Sequence, residues 1–131
     1  MEMEISFDGN KKVNASYNGH TIKTDQPAAA GGDDTASAPF ELFLASIGTC
    51  AGFYVKVFCD QRMISTDGIK ILQNMEFNRE TRLINKIKLD IKLPKEFPEK
   101  YKDAVINAAN LCTVKKHLLN PPKIEVNSSY N

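Results

Sequence analysis

The sequence predicts an α+β fold, and three observations carry that prediction. Period-two hydrophobic patterns and tight-turn residues fill the first 24 positions, a long uncharged run follows at 42–55, and two further alternating stretches precede a second helical pattern. Strands come in runs, and so do helices, which argues against a parallel βαβ sheet. With 131 residues, 42% hydrophobic and 25% charged, the chain has the size and composition of a single domain covering 1–131.

Met1, Met3, Ile5 and Phe7 share one face of the first stretch while Glu2, Glu4 and Ser6 share the other, the pattern of a half-buried strand. Asp8-Gly9 marks a turn, and Val13, Ala15 and Tyr17 repeat the period of two. Asn18-Gly19 is a hairpin signal that leads into a short strand at 20–24. Residues 25–37, rich in Ala, Gly, Asp, Ser and Thr, predict a mobile surface loop. Pro39 suits the first turn of a helix, with Glu41 near its positive end. From Leu42 to Val55 no charge appears, so this helix, predicted to reach about Met63, is buried on most sides, against a sheet and a partner subunit.

After the Asp67-Gly68 turn, Ile69, Ile71, Gln73, Met75 and Phe77 line one face of a strand. Ile87, Leu89, Ile91 and Leu93 line one face of the next, and the charged link at 79–82 makes the two an antiparallel pair. Pro94 and Pro98 bracket a turn into a helix carrying Tyr101, Val105, Ala108, Ala109 and Cys112. Asn120-Pro121-Pro122 ends it, and Lys123 to Val126 predict one last strand.

Several function classes recede on composition. A formal net charge of +1 points away from nucleic acid and from an anionic membrane surface. No run approaches the roughly 18 consecutive apolar residues of a membrane span. Met1-Glu2-Met3-Glu4-Ile5 lacks the basic head and apolar core of a signal peptide. Three cysteines do not make a secreted disulfide framework, so the cytoplasm is the expected compartment. No Cys-x-x-Cys occurs, His20 and His117 are far apart in sequence, and Gly31-Gly32 lacks the strand and helix that flank a phosphate loop; no metal or cofactor is expected.

Chemistry rests on the cysteines. Cys50 lies in the apolar helix, and Cys112 is trailed by Lys115, Lys116 and His117, whose charge would favour a thiolate. One thiol can be oxidised to a sulfenic acid and the other can capture it as a disulfide. At about 100° per residue, Cys59 points about 180° away from Cys50, which makes it a packing residue. Tyr17, Phe43, Phe53 and Tyr54 read as core aromatics, with a pocket wall as the other option.

Ser37-Ala38-Pro39-Phe40-Glu41-Leu42 opening a small-residue helix that carries Cys50, together with Asn110-Leu111-Cys112-Thr113-Val114, resembles the osmotically inducible protein C family, which includes the organic hydroperoxide resistance proteins. The resemblance spans essentially the whole chain. It implies an OsmC-like fold, antiparallel sheets packed around long central helices in an intertwined homodimer. It also implies that Cys50 is the peroxidatic thiol and Cys112 the resolving one, in a cycle that needs an external dithiol and no metal, flavin or nicotinamide. Two features depart from the peroxide-specific members. Those proteins hold the thiolate with an arginine from the N-terminal strands, whereas no arginine precedes Arg62 here and Lys11, Lys12 or Lys23 would have to supply charge. Their partner glutamate falls at the position of Phe40, and the carboxylate sits one residue later at Glu41. The resulting expectation is a cysteine-based peroxidase for organic hydroperoxides in oxidative-stress defence, with Glu41 a secondary catalytic candidate. The alternative is a non-catalytic stress-associated or small-ligand-binding protein on the same fold.

Overall fold

Alternation at the N-terminus becomes a three-stranded antiparallel meander, β1 (Glu4–Phe7), β2 (Val13–Tyr17) and β3 (His20–Thr24). Tyr17 pairs with His20, so Asn18 and Gly19 form a two-residue loop. Both have positive φ, 54° and 79°, the type I′ geometry that follows the strand twist. The computed structural model describes all 131 residues and resolves them into two compact units, Met1–Ala45 and Ser46–Asn131.

In the first unit the segment after β3 is pinned where the sequence predicts a mobile loop. Asp25 is fully buried. Its carboxylate accepts from the backbone N–H of Gln26 (2.8 Å), Asp33 (3.5 Å) and Thr35 (3.0 Å) and from the Thr35 hydroxyl (2.6 Å). These donors, the Thr35 hydroxyl foremost, hold the carboxyl well below the usual carboxylate range. Lys12 adds an ion pair to Asp33 at 2.8 Å.

The long helix α1 (Pro39–Asp60) begins as the proline predicts. Glu41 completes the start: its Oε2 accepts from the Ala38 N–H at 2.9 Å, half of a capping box. At the far end regular helix stops at Asp60, short of Met63, because the chain closes a Schellman motif. Ile64 N–H bonds the Cys59 carbonyl (2.9 Å), Met63 N–H bonds that of Asp60 (3.2 Å), and Met63 takes the left-handed conformation at φ 53°.

In the second unit β4 (Lys70–Asn78) and β5 (Leu83–Lys92) pair antiparallel, placing Ile71 opposite Ile91, Gln73 opposite Leu89 and Met75 opposite Ile87. A register shift between Glu76 and Phe77 bends the far end of the hairpin. α1 crosses this apolar face through small residues: a Cβ on Gly48 would lie 2.6 Å from the Gln73 Oε1, and one on Gly52 would lie 3.6 Å from Ile71. The core beneath joins Val55, Phe58 and Cys59 of α1 to Phe97 and to Val105 of α2 (Lys102–Ala109).

Two sequence expectations are corrected here. The helix predicted to carry Cys112 breaks after Ala109, and Cys112 becomes the N-cap of a separate helix, α3 (Thr113–Leu119), with φ −44° and ψ 120°. No strand forms at 123–126. Ile124 and Val126 alternate correctly but are 83% and 92% exposed, and residues 121–131 find no strand edge to pair with. α1 is also long and apolar enough to cross a membrane by length and composition alone, which its consecutive-residue pattern does not reveal. With these changes the architecture is α+β, with antiparallel sheets and one long helix.

Candidate functional site

Ile47, Cys50 and Tyr54 recur at helical spacing along α1 and meet the first turn of α3. Breaking the helical region before Cys112 is what creates the site, because it leaves the free backbone N–H groups of a new helix start beside the Cys50 sulfur. Cys112 acts as that helix's cap: its Sγ accepts from the Lys115 N–H at 3.4 Å, and lies 3.8 Å from the Ile47 carbonyl oxygen. Tyr54 ties the two elements together through a 3.0 Å hydrogen bond between its phenol and the Thr113 hydroxyl.

The two thiols stand in opposite electrostatic settings. Cys50 is half-buried, and its pKa is lowered. The Val114 N–H is the main cause, aided by the Cys112 thiol and by the Thr113 N–H and hydroxyl, against a smaller opposing effect of burial. Cys112 is 2% exposed, and burial pushes its thiol up, with the neighbouring Cys50 sulfur adding to the rise. The lysines trailing Cys112 do not reverse this. The Lys115 ammonium is engaged by Asn110 Oδ1 at 2.8 Å, and only its backbone N–H reaches the sulfur. Both cysteines are free, and each shifts the other's thiol. That arrangement favours the thiolate form at Cys50 and the protonated form at Cys112.

Other predicted residues have separate employment. Glu41 caps the start of α1. Cys59 is fully buried in the core, where burial raises its thiol. Arg62 cannot stand in for the family's arginine within its own unit. It donates to the Phe58 carbonyl at 3.1 Å and lies over the Phe58 ring, and the helical rise places it about 18 Å along the axis from Cys50. Tyr54 is a hydrogen-bonding residue of the site and not simply a core aromatic, while Phe53 on the same turn is exposed. Sequence reasoning missed the donors to Cys50 because two of the four are main-chain groups, which no residue type announces.

An apolar cavity of about 400 Å³ adjoins Cys112, with Cys50 not among its lining residues. Ile47, Ile87, Leu89, Ile91, Ile106 and Leu118 line it, Lys102 and Lys115 stand on its wall, and Cys112 faces into it. No group of three or more His, Cys, Asp or Glu residues is arranged to hold a metal ion.

Solved structures share this arrangement of strands and helices. A protein of Psychrobacter arcticus 273-4, described as an osmotic stress induced and detoxification response protein, is 20% identical, with a TM-score of 0.71 over 87% of this chain and 85% of that one. An OsmC like protein from Mycoplasma pneumoniae is 12% identical, with a TM-score of 0.69 over 92% and 87%. The organic hydroperoxide resistance protein OsmC of Legionella pneumophila is 16% identical, with a TM-score of 0.53 over 90% and 89%. At these identities the likeness is one of fold. No curated protein sequence matches the chain. The sequence at residues 31–127, which takes in all of α1, the hairpin and both cysteines of the pair, matches the OsmC-like protein family, and with the shared fold this shows that the chain belongs to it.

Proposed function

We propose that this protein reduces organic hydroperoxides with Cys50 as the attacking thiolate and Cys112 as the resolving thiol, in oxidative-stress defence. The observation that carries the reading is the opposed setting of two adjacent free thiols, one lowered by backbone donors and half-exposed, the other raised and buried. The Cys50 thiolate attacks the peroxide, the O–O bond breaks, an alkoxide leaves to be protonated as the alcohol, and Cys50 becomes a sulfenic acid. Cys112 sulfur then attacks Cys50 sulfur, the hydroxyl leaves as water with the Cys112 proton, and a disulfide closes. An external dithiol reduces that disulfide and is itself oxidised, which suits a reducing compartment such as the cytoplasm. Loss of the Cys50 negative charge on oxidation removes one cause of the raised Cys112 pKa, so the resolving thiol gains reactivity when it is needed. We assign Glu41 to the helix start and not to proton transfer.

A homodimer belongs to this reading. Phe53 on α1 is 60% exposed, and at the far end of the hairpin Phe77 and Leu83 are 60% and 66% exposed, more apolar surface than a monomer of this size ordinarily leaves to water. A stable monomer in sedimentation at micromolar concentration would contradict it.

Purified protein with a dithiol is expected to consume an alkyl hydroperoxide faster than hydrogen peroxide, since each buried methylene contributes about 0.8 kcal/mol, or about fourfold in affinity. Cys112→Ser should permit one oxidation and then stall. Turnover no faster than free cysteine at the same pH would overturn the peroxidase reading. The apolar cavity would then favour the second one, a small-ligand binder on the same fold.

A further inference from the structure

Tyr54 and Thr113 meet beside the cysteine pair, and Tyr54 has no role in the cysteine cycle as described. Tyr54 lies one turn beyond Cys50 on α1, and its phenol oxygen is 3.0 Å from the Thr113 hydroxyl oxygen. That hydroxyl is among the groups that lower the Cys50 thiol. The protons distribute in one direction only: a thiolate can only accept, so Thr113 donates to Cys50, its oxygen accepts in turn, and Tyr54 donates to Thr113. Hydrogen bonds arranged head to tail in this way strengthen each other. Of the remaining titratable groups nearby, the Cys112 thiol also lowers Cys50, whereas the Lys115 ammonium is held by Asn110 and the His117 Nδ1 lies 2.8 Å from the Thr113 carbonyl oxygen.

We infer that a Tyr54–Thr113 relay orients a hydroxyl donor onto the Cys50 sulfur, with Thr113 as the group that touches the reacting atom and Tyr54 as a positioning residue acting through it. The relay rests on the reading of Cys50 as the reactive thiol. It supplies from α1 and α3 part of what an arginine would otherwise provide. It also defines a division of labour at α3. Its backbone N–H groups belong to any residue there, whereas the hydroxyl belongs to threonine or serine alone.

The test is the rate of alkylation of the reduced protein by iodoacetamide as a function of pH, which reads the thiolate without any need for peroxide turnover. Each cysteine falls on its own tryptic peptide, Cys50 on Thr24–Lys56, Cys59 on Val57–Arg62 and Cys112 on Asp103–Lys115, so Cys50 is followed by itself in the mass spectrum. Thr113→Val should move the Cys50 midpoint to higher pH and slow alkylation near neutrality about threefold to tenfold, the scale of one ordinary lost hydrogen bond. Thr113→Ser, which keeps the hydroxyl, should leave the profile close to wild type. Tyr54→Phe should give a smaller shift in the same direction. Adding it to Thr113→Val should change nothing further. An unshifted profile in Thr113→Val, or independent effects of the two substitutions, would overturn the relay while leaving the peroxidase reading intact. A wild-type Cys50 that titrates like free cysteine would overturn both.

Discussion

The two ends of the α1 segment in the second unit carry the same side chain to opposite effect. Cys50 and Cys59 sit on one continuous helix, both without a charged side chain bonded to the sulfur. Cys59 faces a closed apolar layer of Phe97, Val105 and its own helix neighbours, and burial, with a smaller contribution from the Asp60 charge, pushes its thiol up. Cys50 faces the first turn of another helix, where backbone N–H groups have no partner of their own, and its thiol is pulled down. Apolar sequence around a cysteine therefore says little about its reactivity. What decides it is whether the facing element ends there or runs past.

The sharpest way to break this contrast is to exchange the roles of the two thiols. Cys50→Ser should abolish peroxide consumption, since a hydroxyl forms no sulfenic acid, while Cys59→Ser should leave consumption by the folded protein near wild type. Loss of turnover in folded Cys59→Ser would show that the wrong end of the helix has been chosen. Thr113→Pro sharpens the comparison next. Proline suits the first helical position, and Cys112 before it is already extended at φ −44°, ψ 120°, so α3 should be preserved. The substitution removes an N–H and a hydroxyl from Cys50 together. Its midpoint in iodoacetamide alkylation should rise and its rate near neutrality fall about tenfold, the scale of two lost hydrogen bonds. For a nucleophilic thiolate the rate climbs with pH through the midpoint, so in the wild type the plateau should be reached at lower pH than for free cysteine.

At the other end the readout is stability. Cys59→Ser places a hydroxyl in an apolar layer and should cost about 1–3 kcal/mol in urea unfolding, unless a partner forms for it. Cys59 itself should resist alkylation until the protein unfolds. Smallest of all, Met63→Gly should stabilise the Schellman end of α1 by about 1 kcal/mol, because a left-handed residue without a Cβ avoids the clash methionine accepts at φ 53°.

Much of this fold was legible from residue patterns. Period-two alternation located β1, β2, β4 and β5, Asn18-Gly19 fixed a hairpin turn and with it β3, and Pro39 with Glu41 marked where α1 begins. The break at 110–112 was not legible, since Val105, Ala108, Ala109 and Cys112 keep helical spacing straight through it. That single misreading hid the donors to Cys50, because they exist only where a helix starts. Asp25 was hidden for a related reason. In sequence it is one more polar residue in a glycine-rich stretch, and only the folded chain shows four donors converging on its carboxylate. The strand expected at 123–126 shows the converse: alternation at Ile124 and Val126 gives the period, but a strand also needs a neighbouring backbone.

The central claim is that Cys50 and Cys112 form the redox pair and Cys59 does not take part. It is tested most directly by adding one equivalent of an alkyl hydroperoxide to the fully reduced protein, blocking free thiols, and mapping the tryptic peptides without reduction. One cross-linked species joining Thr24–Lys56 to Asp103–Lys115 is expected, with Val57–Arg62 recovered as a blocked free thiol. A cross-link through Val57–Arg62, or Cys50 recovered unoxidised, would contradict it.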